Sequence, residues 1–203
     1  MKKRIILGMT GATGAIYGKR ILEVLRDDGG YETHLVVSDA GALNIQYELG
    51  IKRSAMGDLA DKVHRIDDIA APIASGGFKT DGMIIAPCSM KTLAAIAHGF
   101  GDNLISRAAD VILKERRRLV VVPREAPLNL AHVRNMVSLT EMGAIIYPPV
   151  PAFYAKPVTI SDLVDETVGR VLSLLDIQTQ GLYRPWVGLQ EKDEPKDESA
   201  ESF

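Results

Sequence analysis

The chain has 203 residues, of which 46% are hydrophobic and 25% charged, with a formal net charge of −2. That size and composition fit one soluble domain with a full core, and no uninterrupted apolar stretch reaches the ~18 to 20 residues that a membrane span needs. One cysteine, Cys88, excludes an internal disulfide and a multi-cysteine zinc site, and His34, His64, His98 and His132 are scattered with no ligand spacing.

Ile5-Ile6-Leu7-Gly8 reads as a buried parallel strand that breaks into Thr10-Gly11-Ala12-Thr13-Gly14. Apolar residues then resume at helical spacing through Ile21, Leu22, Val24 and Leu25. Glycines in such a turn let backbone amides approach a ligand, and the positive end of the helix favours an anion such as a phosphate. Asp27-Asp28-Gly29-Gly30 ends this helix, Thr33–Val37 is a second strand, and Ser38-Asp39 caps a helix over Ala40–Leu49. Residues 50–80 are the least regular, with a short helical piece starting at Asp67-Asp68 and a mobile loop at Ala74-Ser75-Gly76-Gly77-Phe78.

Gly82–Pro87 is another buried strand, and Cys88-Ser89-Met90-Lys91-Thr92 opens a helix through His98. A helix over Asn103–Arg116, a strand over Leu119–Pro123 and a helix near Leu130–Thr140 follow. Ala144–Ile146 is a short strand, Tyr147-Pro148-Pro149-Val150-Pro151 a rigid extended segment, and Ser161 caps a last helix over Asp162–Leu175. Residues 187–203 form an acidic tail poor in apolar residues and expected to be disordered. Without residues 190–203 the charge is about +2, too little to argue for nucleic acid.

Strands alternating with helices imply a single α/β domain over residues 1–186, doubly wound and Rossmann-like, with a mostly parallel sheet. Ligands in such folds bind beyond the carboxyl ends of the strands. Four of those ends carry polar residues here: Thr10–Thr13, Ser38, Ser89–Thr92 and Arg124-Glu125.

Gly8-x-x-Gly11-x-x-Gly14 is neither the G-x-G-x-x-G dinucleotide fingerprint nor a P-loop, and it is equally readable as a tight structural turn. Ser38 stands where an NAD-binding fold would place an acid for the ribose, with Asp39 one residue later, and a short hydroxyl there suits a mononucleotide phosphate or a flavin edge at least as well. Ser89 and Thr92 can serve as helix caps alone, but Lys91 in a first turn opposes the helix dipole, a cost that an anionic ligand would offset. No G-x-S-x-G surrounds Cys88-Ser89, so Cys88 reads as a buried filler and not a nucleophile. Arg107 shares a helix face with Lys114, two turns on, and both either face solvent or share an anion site. Arg124-Glu125, held between Pro123 and Pro127 at a strand end, suits acid/base work on a phosphate, with a surface ion pair as the plainer reading.

In this order, Thr10–Ala15, Ala74-Ser75-Gly76, Pro87–Leu93, Arg107-Ala108-Ala109-Asp110, Leu113–Arg116, Pro123–Leu128 and Pro148–Tyr154 resemble the UbiX-type flavin prenyltransferase family from about residue 3 to 186. The resemblance implies transfer of a dimethylallyl group from dimethylallyl monophosphate to N5 and C6 of reduced FMN, without a metal. It also implies delivery of prenylated FMN to a UbiD-type decarboxylase, a homo-oligomer of dodecamer type, and a cytoplasmic location. Residue by residue, it places Gly11, Ala12, Thr13, Ser38, Ser89, Met90, Lys91, Thr92 and Arg124 on the flavin. The donor phosphate falls to Lys114, Tyr154 and Arg170, with Arg107 nearby and some of these coming from neighbouring subunits. Glu125 is implied as the proton donor to the leaving phosphate, a role that requires a pKa raised by burial, with Thr13 and Lys114 also catalytic.

Two positions depart from the family pattern: Thr13 stands where Ser is common, and Ile69 where some members carry Trp. The alternatives are an NAD(P)-binding reductase, a flavin-dependent decarboxylase of the same fold, and a non-catalytic flavin carrier.

Overall fold

The computed structural model describes residues 2–179, 181–186 and 188. Six strands, β1 (Lys3–Met9), β2 (Tyr31–Val37), β3 (Lys62–His64), β4 (Gly82–Cys88), β5 (Arg118–Pro123) and β6 (Ile145–Ile146), form one sheet in the order β3-β2-β1-β4-β5-β6. Every neighbouring pair is parallel. The described helices are α1 (Ala15–Asp28), α2 (Asp39–Leu49), α3 (Arg53–Gly57), α4 (Met90–Ala97), α5 (Leu104–Lys114), α6 (Leu130–Glu141) and α7 (Ile160–Ser173).

The central strands read as unbroken apolar runs because helices cover both faces of the sheet. On one face Ile5, Leu7, Ile84 and Val120 pack with Leu22 of α1 and Val168 and Leu172 of α7. On the other, Ile6, Met83, Ile85 and Val121 pack with Leu93 of α4 and Ile105, Ala108 and Ile112 of α5. Chain direction reverses its lateral march between β1 and β4, the switch point at which doubly wound folds open a crevice. No described helix is long and apolar enough to cross a membrane.

Several sequence-based boundaries shift for local reasons. Ser38, Ser89 and Asn103 are N-caps, so α2 starts at Asp39, one residue before the expected Ala40, while α4 and α5 start after their expected openings, at Met90 and Leu104; Cys88 ends β4. The last helix is capped by Thr159 and not Ser161: Thr159 Oγ1 accepts Asp162 N at 3.1 Å, while Asp162 Oδ2 accepts Thr159 N at 2.8 Å. This reciprocal capping box puts Asp162 at the third helical position and Ser161 inside the first turn. The helix expected to run to Arg116 ends at Lys114, and Arg116 turns left-handed with φ 56°.

Residues 50–80 hold more order than their sequence suggests: α3, the edge strand β3 and a 3-10 turn at Pro72–Ala74. Asp67 sits in a turn and not in a helix, gripped by Arg65 through bonds of 3.0 and 2.6 Å. The expected mobile loop is tied down, since Arg107 Nε donates to Ala74 O at 3.2 Å and Arg117 donates to Gly76 O at 2.8 Å and Phe78 O at 3.0 Å. The expected acidic tail lies outside the described residues, Gly188 apart.

Candidate functional site

Three strand ends are laced together at the switch point. Thr10 Oγ1, after β1, donates to Pro87 O at 3.0 Å and accepts Ser89 N at 2.7 Å, while Ser38 N, after β2, donates to Met9 O at 3.0 Å. These bonds hold the turns that follow β1, β2 and β4 around a cavity of about 380 Å³. Thr10, Gly11, Ser38, Ser89, Lys91 and Thr92 line it. The Ser38 hydroxyl accepts Gly41 N at 3.0 Å, and Ser89 Oγ accepts Thr92 N at 3.3 Å, so both are caps as well as lining. Helices α2 and α4 therefore both start at this cavity, and their N-terminal amides and Lys91 offer donors to an anion, beside the carboxylates of Asp39 and Asp102 on the same wall. Ala12 is buried in the turn, and Met90 packs against the second core face.

On the other side of the same turn lies a second cavity, of about 550 Å³. Thr13, Tyr17, Glu48, Arg124 and Glu125 contribute its polar groups, and Pro148, Pro149, Val150, Ile160 and Val164 its apolar wall. Gly14 makes the turn with φ 105°, in the left-handed region that favours glycine. The N-terminus of α1 does not face open space: Glu48 Oε2 accepts Gly14 N and Ala15 N, each at 2.9 Å. The anion expected on this helix end is thus a carboxylate from α2. Sequence reading missed Glu48, because nothing local marks a residue in the last turn of α2 as belonging to a site. Burial pushes the Tyr17 phenol up, with the Arg124 charge opposing.

Arg124 N donates to Cys88 O at 3.2 Å, anchoring the β5 exit beside that of β4. Glu125 is exposed in the single chain, with Oε1 accepting its neighbour Ala126 N at 3.1 Å. Cys88 is fully buried and burial pushes its thiol well up, as expected of a filler and not a nucleophile.

The remaining cations do not converge on either cavity. Arg107 pairs with Asp110 at 2.8 Å and Lys114 with Glu115 at 2.6 Å. Both side chains reach the 74–76 segment: Arg107 bonds Ala74 O, and Lys114 Nζ would stand 2.8 Å from a side chain added at Gly76. Tyr154 and Arg170 both act on the Tyr147 phenol and so share one neighbourhood. Tyr154 is half-exposed, edge-on to Trp186 at 5.6 Å, and Arg170 Nη1 donates to Ser173 Oγ at 3.0 Å. Ile69 is 63% exposed. Of the residues expected at the flavin, Gly11, Thr13, Ser38, Ser89, Lys91, Thr92 and Arg124 line these two cavities; of those expected at the donor phosphate, Arg107 and Lys114 meet at the 74–76 segment, and Tyr154 and Arg170 in the surroundings of Tyr147. Among the described residues, no group of three or more His, Cys, Asp or Glu could hold a metal ion.

Residues 1–172 match the family model described as Flavoprotein. The chain is 56% identical over 179 residues to the flavin prenyltransferase UbiX of Neisseria meningitidis serogroup B, covering 88% of this chain and 94% of that one. Among solved structures, AnUbiX (PadA1) in complex with FMN and dimethylallyl pyrophosphate is 54% identical with a TM-score of 0.90, across 94% of this chain and 100% of that one. A dodecameric FMN-dependent UbiX-like decarboxylase from Escherichia coli O157:H7 is 48% identical with a TM-score of 0.88, across 91% and 100%.

Proposed function

The chain belongs to the UbiX-type flavin prenyltransferases of the flavoprotein family, and from that premise we propose how its residues divide the work. It transfers a dimethylallyl group to FMN. The observation that carries the division of roles is the placement of two cavities on the two faces of the Thr10–Gly14 turn, one rich in amide and hydroxyl donors, the other holding Thr13, Arg124 and Glu125 beside an apolar wall.

The first cavity's donor set fits FMN's phosphate-bearing tail: Ser38, Ser89, Thr92, Lys91 and two helix N-termini supply hydrogen bonds and positive potential. Thr13 and Arg124 hold the flavin where the turn opens onto the second cavity, with Gly11 lining the first and Ala12 and Met90 backing the turns from the core side. FMN, when bound and reduced, supplies the electron-rich ring that takes the alkyl group. In dimethylallyl monophosphate the allylic C–O bond breaks with its electron pair leaving on the phosphate. Glu125 gives that phosphate its proton, and Arg107, Lys114, Tyr154 and Arg170 neutralise and bind it. Pro148, Pro149, Val150 and Ile160 keep water from intercepting the allylic cation.

Because Glu125, Lys114 and Tyr154 are all exposed in the single chain, we infer that neighbouring copies complete the donor site. Exposed Val150, Phe153, Leu130 and Val158 (70, 72, 62 and 92% accessible) supply apolar surface for such contacts. A dodecamer like the Escherichia coli neighbour, a cytoplasmic location and a UbiD-type decarboxylase as recipient of the product belong to the same reading.

Mass spectrometry of the flavin after anaerobic incubation with reduced FMN and dimethylallyl monophosphate tests it. A flavin heavier by one C5 unit, made by the wild type and suppressed in Glu125→Gln, supports the assignment. Unmodified flavin that copurifies points to a carrier or a decarboxylase, and no flavin binding sinks the assignment.

A further inference from the structure

Residues 181–186 cross α7 and pack on it at Gly169. A methyl group built on Gly169 would stand 2.7 Å from Tyr183 Cβ, 2.9 Å from Tyr183 N and 3.0 Å from the Leu182 carbonyl carbon. The two backbones approach this closely only because position 169 has no side chain. One turn earlier, Glu166, 8% exposed, accepts Arg184 N on Oε2 at 3.3 Å. These two contacts set the height and register of the segment on the helix.

Their consequence is the position of the Tyr183 ring, whose centroid lies 5.5 Å from Arg170 Cζ. The guanidinium is also held from within α7: Nη1 donates to Ser173 Oγ at 3.0 Å, and that hydroxyl donates to Arg170 O at 2.7 Å. A half-buried arginine on a long flexible stem is therefore fixed from two sides. Fixing it before the ligand arrives removes part of the side-chain entropy that anion binding would otherwise cost.

We propose that Tyr183 is a positioning residue for the donor phosphate, acting through Arg170, and that Gly169 is the seat that lets it act. This rests on the reading of Arg170 as a donor-phosphate ligand. The ring face carries the effect and the hydroxyl does not, so Phe at position 183 preserves it and an aliphatic side chain does not.

The test uses the full chain at saturating reduced FMN, with dimethylallyl monophosphate as the varied substrate. Tyr183→Leu raises KM for the donor roughly three- to thirtyfold, the range of one partly desolvated cation–π contact, and leaves kcat within about twofold. Tyr183→Phe stays within about twofold of the wild type in both parameters. Gly169→Ala, which displaces residues 182–183, reproduces the Tyr183→Leu phenotype, and the double variant is no worse than either. Affinity for reduced FMN, read by fluorescence, is unchanged throughout. Arg170→Ala is the reference and raises KM at least as much as Tyr183→Leu. If Arg170→Ala raises KM and Tyr183→Leu does not, the positioning role is wrong while the reading of Arg170 stands. If Arg170→Ala has no effect, the reading of Arg170 fails and the proposal with it. A Tyr183→Leu protein that loses flavin affinity in parallel with donor affinity would mean a general structural role and overturn the proposal. Should Gly169→Ala not fold, the Leu and Phe pair at position 183 decides alone.

Discussion

Glu48, in the last turn of α2, lays its carboxylate on the start of α1, accepting the N–H groups of Gly14 and Ala15 at 2.9 Å each. Gly14 is the N-cap of α1 and has no side chain to offer, so Glu48 supplies from 34 residues away what a cap normally supplies locally. A negative group there also meets the positive end of the helix dipole. Glu48→Ala is expected to lower stability by about 1 kcal/mol, and Glu48→Gln by less, because the amide oxygen still accepts while the charge is gone. Urea denaturation of both variants checks this, and equal midpoints for wild type and Glu48→Ala would remove the cap from the account.

A pH dependence follows from a buried histidine ring, His34, and the half-buried ring of His64 beside it. His34 Nε2 lies 3.0 Å from Glu32 Oε1, so it carries the proton and donates; His34 Nδ1 then accepts from His64 Nε2 at 2.9 Å. Burial holds both imidazoles below their ordinary pKa, outweighing the Glu32 bond at His34, with further fields from Arg4, Asp61, Lys62 and Asp68. A second proton on His34, at Nδ1, would set its N–H against that of His64 Nε2. The unfolded chain has no such restriction and takes up protons as pH falls through 6.5, the ordinary histidine value, so stability declines with falling pH below that point. Thermal unfolding between pH 7.5 and 5 should show a falling midpoint, and His64→Gln should flatten it. An identical slope in the variant would rule this pair out as the source.

Glu125→Gln keeps the shape and hydrogen bonding of the side chain and removes its proton. Product formation should fall by about a hundredfold or more, while flavin affinity stays within about twofold of the wild type. A variant with normal turnover would transfer the acid role to another group.

Cys88 is enclosed at the end of β4, and its thiol is held protonated by burial. A thiol reagent such as dithionitrobenzoate should leave the native protein unlabelled and modify one cysteine on unfolding in guanidinium. Rapid labelling of the native chain would contradict the burial.

The strands were legible because burial on both faces writes them as continuous apolar runs, as in Ile84-Ile85 and Val120-Val121-Val122. Helix starts were legible to within a residue at Ser38, Ser89 and Asn103, where a short polar side chain must take up free amides. At the last helix the same logic chose Ser161 over Thr159, since both residues can cap and only the reciprocal bond with Asp162 separates them. The edge strand β3 was not legible: three residues with two exposed carry no pattern, and they are a strand because β2 offers them a free edge.

By itself, then, the sequence determined the alternating architecture, the polar turns at the carboxyl ends and the kind of chemistry those turns suit, because each is written in residues adjacent along the chain. The tertiary structure alone decided that His34 meets His64, that Glu48 caps α1, and that the polar turns open onto two cavities and not one. These depend on sheet register and on helix packing across many residues. His64 reaches His34 because β3 pairs with β2 with Lys62 opposite His34, and a shift of one residue would turn the ring to the other face of the sheet.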